Sequence, residues 1–414
     1  MQLDWLLSDG KLILSARIVR TFAYGFLSIV LAIYLKLLGF NDVLIGIVIT
    51  ATLINSVIFT LIAIYYADRV GRRKTLIIYG ALMSIAGAIF LATDNYFALV
   101  AAALIGTINV TGSESGTFLS VEQALLPQTV NDNRKRNTMF ALYNMVGTFA
   151  MSAGILLSGL PTILQHQYGM NEVESIKPLF LLYSVLGIVV ITIYFKLSEK
   201  IEISGRIGKP ILQQPLSPQS KGFVGKLSGL FAIDSFAGGF VIQSIVSLWF
   251  FTKFGVDLAV LSLIFSAAGV LTAFSFLAAA KIADRIGLVN TMVFTHIPSN
   301  VLLILVGFAP TLSLAIAFYL SRMALSQMDV PTRQSYIVAV VSEEERTPAA
   351  GITNISRNVS QAVSPSLAGY ILQVLPAALS APFIIGGALK IVYDIALYFN
   401  FRNIKPAAEK EKFR

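Results

Sequence analysis

The chain has 414 residues, of which 56% are hydrophobic and only 13% are charged, whereas about 25% of the residues in a soluble domain are charged. This excludes an ordinary soluble protein, because a core of this size cannot bury so much apolar surface. The chain has no cysteine, which excludes disulfides and thiolate metal sites. It has two histidines, which disfavours imidazole clusters. The net charge of +9 does not indicate nucleic-acid binding, since the cations lie in loops beside apolar runs.

The hydropathy pattern predicts twelve membrane-spanning helices, each needing about 20 residues. No cleavable signal peptide is expected, because Met1–Gly10 contains two aspartates and no short apolar core. An even number of spans places both termini on one side, and the distribution of lysine and arginine makes that side the cytoplasm. The sequence therefore predicts a multi-pass protein of the cell membrane with both termini cytoplasmic. The expected spans are 12–38, 43–67, 75–93, 97–126, 138–161, 178–197, 224–252, 258–283, 290–309, 311–341, 347–375 and 381–401.

A short basic turn separates the second and third predicted helices. It reads Asp68-Arg69-Val70-Gly71-Arg72-Arg73-Lys74, and Gly71 supplies the tight turn. Four cations in seven residues are expensive to move across a bilayer, so the turn is expected in the cytoplasm. Half a chain later, Ala283-Asp284-Arg285-Ile286-Gly287 is a weaker copy of it.

This repeated turn resembles the loop between helices 2 and 3 of the major facilitator superfamily, which is written G-x-x-x-D-R-x-G-R-R-K. The first copy matches from Asp68 to Lys74, with Ile64 in place of the leading glycine, and the second copy has Ala280 there and lacks the arginine pair. The resemblance implies an all-α integral membrane protein with twelve transmembrane helices in two pseudo-symmetric six-helix bundles. It also implies a gating role for Asp68, Arg69, Gly71, Arg72, Arg73, Asp284, Arg285 and Gly287.

One long connection divides the predicted helices into two sets of six. It is rich in proline and glycine, which favours a linker. The expected division is an N-terminal bundle at 1–197, a cytoplasmic linker at 198–222 and a C-terminal bundle with a cytoplasmic tail at 223–414. Short matches relate the halves, such as Val121-Glu122-Gln123 with Thr332-Arg333-Gln334. Two similar halves are the arrangement in which many carriers alternate access.

Charged residues inside the predicted helices should face the protein interior or water, because each costs about 2.5–3.5 kcal/mol at mid-bilayer. In the superfamily that the chain resembles, helices 1, 4, 7 and 10 line the central cavity, while helices 3, 6, 9 and 12 face lipid. The charges follow this pattern except in helix 12. There Lys390 and Asp394, spaced i,i+4, are expected to pair with each other.

Three acids are candidates for proton coupling. Glu114 and Asp234 have no partner on their own helices, and a desolvated acid takes up a proton near neutrality. Asp329 is the third, although Asp329 and Arg333 at i,i+4 are equally compatible with a locked ion pair. Glu122 and Arg333 lie at equivalent points low in their helices, which favours a cytoplasmic gate.

Polar stripes on the first, fourth, tenth and eleventh helices are candidates for solute binding. Arg357 lies deep in its helix, and its structural alternative is an ion pair with Asp234 or Asp329. The candidate solute-binding residues are Arg20, Tyr24, Asn109, Arg333, Asn354, Arg357, Asn358 and Gln361.

No phosphate-binding G-x-x-x-x-G-K-[ST] loop and no credible nucleophile–base pair is present, so the sequence predicts neither an ATPase nor another enzyme, and no cofactor. The prediction is a monomeric secondary transporter driven by an ion gradient, with a small solute, protons and membrane lipid as partners and no nucleic acid. Proton-coupled export by antiport comes first. The alternatives are proton symport of an anionic metabolite, with arginines binding a carboxylate or phosphate, and a non-transporting membrane sensor or scaffold.

Overall fold

The computed structural model describes residues 6–112, 116–130, 136–202, 216–342, 345–374 and 379–404. Within these ranges the chain is almost entirely α-helical, and an isolated bridge between Leu6 and Val130 is the β contact. The described helices are α1 (Ser8–Leu37), α2 (Asp42–Val70), α3 (Arg72–Ala92), α4 (Tyr96–Ile105), α5 (Thr117–Leu125), α6 (Arg136–Leu157), α7 (Leu160–Tyr168), α8 (Glu172–Phe195), α9 (Pro218–Gly239), α10 (Gln243–Phe254), α11 (Leu258–Ile286), α12 (Leu288–Phe308), α13 (Leu312–Ser326), α14 (Asp329–Val340), α15 (Arg346–Val374) and α16 (Ala381–Phe401). Short 3-10 segments lie at Leu126–Thr129 and Glu199–Ile201.

Nine helical stretches in the described part of the chain are long and apolar enough to cross a membrane. Two of them, Leu142–Tyr168 and Pro218–Phe254, each combine residues of two consecutive helices. The three predicted spans outside this set are the fourth and tenth, which are interrupted, and the eleventh, which has low mean hydropathy. The architecture agrees with the expected all-α membrane fold and is consistent with twelve spans. These three spans are three of the four that carry the polar stripes.

The predicted continuous helix at 97–126 is wrong, because α4 ends at Ile105 and α5 begins at Thr117. The sequence between them is rich in Gly, Thr, Ser and Asn, whose short polar side chains compete with helical hydrogen bonding. Gly112 and Gly116 have φ of 76° and 89°, a region that favours glycine. Consequently the polar stripe expected on the fourth helix is broken, because Thr111 and Glu122 do not lie on one continuous helix.

Two further predicted spans are also interrupted. The seventh breaks between Gly239 and Gln243, and the tenth breaks between Ser326 and Asp329. In addition, α8 begins at Glu172, earlier than the expected start at 178, since the side chain of Asn171 accepts from the backbone N–H of Glu174 and caps the helix.

The contacts divide the chain into two compact units. Unit 1 comprises Met1–Gly208 and Ile242–Ser266, and unit 2 comprises Lys209–Val241 and Ala267–Arg414. Although α9 belongs to unit 2, α10 belongs to unit 1, because α10 packs along α1. The hydroxyl of Ser244 donates to the carbonyl of Ser28 at 2.7 Å, and that of Ser247 donates to Ile29 at 3.0 Å. The predicted bundles at 1–197 and 223–414 and the linker at 198–222 stay predictions.

Glycine allows α1 and α6 to approach closely in unit 1. A Cβ atom at Gly154 would lie 1.9 Å from the carbonyl oxygen of Phe22, and one at Gly25 would lie 2.2 Å from that of Met151. Both contacts are with backbone carbonyl oxygens, which cannot move aside as a flexible side chain can. A larger residue at either position would therefore force the two helices apart. Small residues at contact points are the usual means of packing helices tightly within a membrane.

Candidate functional site

Unit 2 holds a buried charge network around Asp234 of α9, which is 3% exposed. The ammonium of Lys390, on α16, donates to Oδ1 of Asp234 at 2.5 Å. A guanidinium nitrogen of Arg333, on α14, lies 3.6 Å from Oδ2 of the same carboxylate. Two cations from two different helices therefore hold one carboxylate.

The expected pair of Asp329 and Arg333 is present within this network. Their N–O distance is 2.6 Å, and both side chains are buried. The pair is not isolated, however, because Arg333 also faces Asp234. Asp234, Asp329, Arg333 and Lys390 thus form one network of two acids and two bases.

Arg357, on α15, borders the network without pairing directly. Its Nε donates to the hydroxyl of Ser235 at 2.9 Å, while Asp234 and Asp329 are near enough to interact with it electrostatically. Among the described residues, no carboxylate lies within ion-pair distance of Arg357, so the alternative of a direct pair with Asp234 or Asp329 is not formed. Neighbouring α15 positions Asn354, Asn358 and Gln361 are partly or fully exposed and make no side-chain hydrogen bond to a described residue.

The expectation that Lys390 and Asp394 pair with each other is wrong. Lys390 pairs with Asp234, and Asp394 lies 2.8 Å from Nδ1 of His296 on α12. The amide of Asn300, one turn further along α12, donates to the other oxygen of Asp394 at 2.9 Å. Lys390 and Asp394 do lie four residues apart on one helix, but each side chain pairs with a residue of another helix. Helices expected to face lipid therefore turn ionisable groups into the interior of unit 2.

Unit 1 holds a different kind of charge site, centred on Glu122 of α5. Arg20 of α1 donates to both carboxylate oxygens, at 3.2 and 2.7 Å. The hydroxyls of Tyr143 and Tyr194 donate to the same carboxylate at 2.5 and 2.6 Å. Arg20 and Glu122 are both 0% exposed, and the guanidinium lies over the ring of Phe118. This enclosed pair gives no support to the expected solute contact of Arg20 or to the expected gating role of Glu122, which stay predictions.

A small polar pocket lies at the break between α4 and α5. The amide oxygen of Asn109 accepts from the backbone N–H and the hydroxyl of Thr111 at 2.9 and 3.0 Å. Interrupted helices of this kind are common at the binding sites of transporters. The structure thus brings together Tyr24 and Asn109, two of the predicted solute-binding residues. Glu114, which is adjacent in sequence, lies outside the described residues. The pocket is lined by Tyr24, Thr52, Leu53, Asn55, Ser56, Thr107, Ile108, Asn109, Val110, Thr111 and Phe118.

The basic turn of the sequence motif joins α2 to α3. Gly71 has φ of 105°, and the carboxylate of Glu202 accepts from the backbone N–H groups of Arg72 and Arg73 at 2.8 and 3.1 Å. A carboxylate is favoured at this position, because helix N-termini carry partial positive charge. Arg69 is exposed, and the side chain of Asp68 lies outside what the structure describes.

The second copy of the motif makes a similar turn between α11 and α12. Gly287 has φ of 89°, and Asp284 and Arg285 are exposed. The two predicted turns are confirmed as turns, while their gating role stays a prediction.

Sequence reasoning gave no function to Lys390, His296 and Asp394, although Lys390 pairs with Asp234 and the other two form a second buried pair. The available signal was an ionisable residue in an otherwise apolar span, which at membrane depth requires a partner. The partners are distant in sequence, as Lys390 and Asp234 are 156 positions apart.

These features define a helical membrane protein with the architecture of a solute carrier. The chain belongs to the Major Facilitator Superfamily, whose family model matches residues 13–325 and 227–414. It is 25% identical over 436 aligned residues to an uncharacterized membrane protein, YJR124C, of Saccharomyces cerevisiae, and the match covers 98% of this chain and 97% of the yeast protein.

Solved transporter structures share the fold at low sequence identity. A nucleoside transporter, NupG, has a TM-score of 0.71 at 15% identity, covering 96% of this chain and 100% of that one. The human organic anion transporter MFSD10 has a TM-score of 0.66 at 15% identity, covering 94% and 98%. A D-xylose-proton symporter has a TM-score of 0.68 at 13% identity, covering 94% and 97%. The expected fold and family are confirmed, and the protein is a multi-pass membrane protein with a transporter fold.

Proposed function

We propose that the protein is a proton-coupled secondary transporter of the cell membrane, moving a small solute by alternating access, with Asp234 as the coupling carboxylate. The observation that carries the proposal is the position of Asp234 between Lys390 and Arg333, all three buried. The fold accommodates this chemistry, since a D-xylose-proton symporter shares it.

Proton binding at Asp234 would change the conformational preference of unit 2. Protonation removes the negative charge that two cations share, and leaves Lys390 and Arg333 in excess over Asp329. An uncompensated buried charge is strongly destabilising, so the side chains around Asp234 must take up new positions once it is protonated. A proton then acts as a ligand that shifts the protein between two conformations in proportion to its differential affinity for them.

Both termini are assigned to the cytoplasm in this proposal, since the basic turn at Arg69–Lys74 belongs on the inner side. The absence of cysteine permits a direct test, because a single cysteine can be introduced without removing another. Lys74→Cys should react with an impermeant maleimide only in inverted vesicles, and Tyr168→Cys only in right-side-out cells. The opposite pattern would reverse the assigned orientation.

Export by proton antiport is the direction expected from the sequence and stays a prediction. A second candidate, proton symport of an anionic metabolite, is favoured by Arg357. Its guanidinium has no carboxylate within ion-pair distance in the described part of unit 2, and the unpaired amides of Asn358 and Gln361 lie on the same helix. A carboxylate or phosphate group of a solute is the counter-charge that a guanidinium binds most specifically.

The test uses purified protein in liposomes containing a pH-sensitive dye. Carboxylates, nucleosides, sugars and organic cations are added in turn, and a solute that is carried with protons changes the internal pH. Asp234→Asn should abolish the dye response and the acceleration by an imposed pH gradient, while exchange of labelled for unlabelled solute continues. Asp257→Asn is the matched control, because Asp257 is exposed and caps α11 through an oxygen that asparagine retains.

Unchanged proton coupling in Asp234→Asn would refute the role of this residue. If no solute moves or stabilises the wild-type protein against heat, the sensor or scaffold alternative gains instead. Loss of carboxylate transport in Arg357→Gln, with proton binding intact, would support the anionic solute. Transport of cations alone, unaffected by Arg357→Gln, would favour export by proton antiport.

A further inference from the structure

A second ionisable pair lies beside the Asp234 network, between α12 and α16. Nδ1 of His296 is 2.8 Å from Oδ1 of Asp394, and Asn300 donates to Oδ2 at 2.9 Å. His296 is 3% exposed, while Asp394 and Asn300 are 0% exposed. A helical packing role alone does not require ionisable groups here, because apolar side chains fill such a position without a desolvation cost.

The charges in this region divide into two groups. Asp234 and Asp329 are matched by Lys390 and Arg333, at the distances given above. Asp394 has an imidazole and an amide as its direct partners among the described residues. With a neutral imidazole, the carboxylate of Asp394 has no lysine or arginine of the described chain within ion-pair distance, and with one added proton the His296–Asp394 pair is neutral. Burial of a carboxylate without a directly paired cation is costly, so this pair is a place where a proton relieves that cost.

Lys390 connects the two groups. It lies one helical turn before Asp394 on α16, so an i,i+4 contact with Asp394 is within reach by a change of rotamer. Its present partner is Asp234. Asp234 and Lys390 are near enough to Asp394 to interact with it electrostatically, and His296 acts in the same way on Asp234. One ammonium therefore stands between two carboxylates.

Two arginines and a tyrosine also lie around these groups. Arg357 on α15 and Arg322 on α13 act on Asp234, and the ring of Tyr393 on α16 packs against that of His296. The arginines border Asp234 and stabilise its charged form. Departure of Lys390 would remove one of the cations that oppose protonation of Asp234.

From this geometry we infer that the His296–Asp394 pair is a second proton site, which exchanges its proton with Asp234 while Lys390 changes partner. In the first state the imidazolium pairs with Asp394, and Lys390 pairs with Asp234. In the second state His296 is neutral, the proton is on Asp234, and Lys390 pairs with Asp394. The proton leaves an imidazole nitrogen and binds a carboxylate oxygen, so the four groups carry no net charge in either state. The inference rests on the proposed proton coupling at Asp234.

The first experiment observes the imidazole directly, independently of transport. The chain has two histidines, and His166 is exposed on α7, so the His166→Gln variant of the full-length protein contains one imidazole. Its histidine is labelled with ¹³C and ¹⁵N, and NMR spectra are recorded in detergent across pH 5–9. One titration of His296 is expected. In Asp394→Asn the pH dependence of the His296 signals should change, because the carboxylate in contact with the imidazole is removed.

The second experiment measures transport in liposomes across the same pH range. His296→Gln should change the pH profile of gradient-driven transport and leave solute exchange at equal pH in place, whereas His166→Gln should leave the profile unchanged. Asp394→Glu retains an acid, so its pH profile should lie closer to that of wild type than the profile of Asp394→Asn does. Asp394→Glu also keeps the test usable if Asp394→Asn folds poorly.

The two proposals fail in different ways. A His296 resonance that does not titrate, or that ignores Asp394→Asn, overturns the second proton site and leaves coupling at Asp234 intact. A titrating His296 together with transport that is indifferent to Asp234→Asn overturns the proposed function instead.

Discussion

The two units bury their charges in contrasting ways. In unit 1 the carboxylate of Glu122 receives hydrogen bonds from Arg20, Tyr143 and Tyr194, and the pair is wholly enclosed. In unit 2 the carboxylate of Asp234 faces two cations, each of which has a second carboxylate nearby. A fully satisfied pair fixes one arrangement, whereas partners with alternatives allow several. In the proposed mechanism, unit 1 is the fixed scaffold and unit 2 supplies the groups that switch.

The largest effect is expected from breaking the enclosed pair in unit 1. Glu122→Gln leaves the guanidinium of Arg20 buried without a counter-charge, and removal of one partner of a buried pair costs about 3–5 kcal/mol. We expect a large fall in the thermal midpoint and in the yield of monodisperse protein in detergent. Arg20→Met combined with Glu122→Leu should recover part of that loss, since no charge then remains buried. Equal stability of Glu122→Gln and wild type would contradict a scaffold role.

The next effect tests the close approach of α1 and α6. Gly154→Val places a side chain against the backbone carbonyl of Phe22, and overpacking of this kind costs about 1–3 kcal/mol. The matched control is Gly229→Ala in α9, where nothing lies within 4 Å of an added Cβ atom. That control should be neutral or slightly stabilising, because alanine favours the helix. Thermal unfolding in detergent measures both, and a Gly154→Val variant as stable as the control would disprove the tight contact.

A double-mutant cycle on Asp234 and Lys390 should show a smaller energetic effect. Each single change, Asp234→Asn or Lys390→Met, leaves one charge in excess, while the double variant removes both. The interaction energy between neighbouring residues in one network is about 0.5–3 kcal/mol. We expect a value below that for Arg20 and Glu122, because alternative partners in unit 2 absorb part of each loss. Coupling as strong as in unit 1 would remove the distinction between the two sites.

The smallest effect concerns the carboxylate of Glu345, which directly precedes α15 in unit 2. Glu345 accepts from the backbone N–H of Ser217 and from the hydroxyls of Ser220 and Ser342, and these bonds lower its pKa from 4.5 to about 2. Because the pKa is lower in the folded state, the stabilisation is complete above about pH 4.5 and is lost as pH falls towards 2. Glu345→Gln should therefore lower the thermal midpoint slightly at pH 7. The difference from wild type should shrink as pH falls below 4.5. A difference that is independent of pH would show that ionisation is not involved.

Much of the fold could be predicted because its signals are local. Apolar run lengths gave the spans, and the Asp68–Lys74 motif with its copy gave the family and both turns. The break in the fourth span is not visible in its hydropathy, because it depends on Gly112 and Gly116, which adopt positive φ.

The candidate site was predicted less completely, because its contacts are tertiary. The Asp329–Arg333 pair follows from i,i+4 spacing on one helix. The same rule failed for Lys390 and Asp394, since better partners reach them from α9 and α12. No local pattern in the sequence specifies which distant helix supplies a counter-charge.

The bond from Glu202 to the start of α3 has a practical consequence for dissecting the protein. Together with Asp9, which accepts from the backbone N–H and hydroxyl of Ser198, it ties the segment that follows α8 to α1 and α3. A truncated fragment that stops at Ser198 would leave the amide groups of Arg72 and Arg73 without their acceptor. Anyone cutting the polypeptide to obtain the first half alone should therefore place the new carboxyl end beyond Glu202.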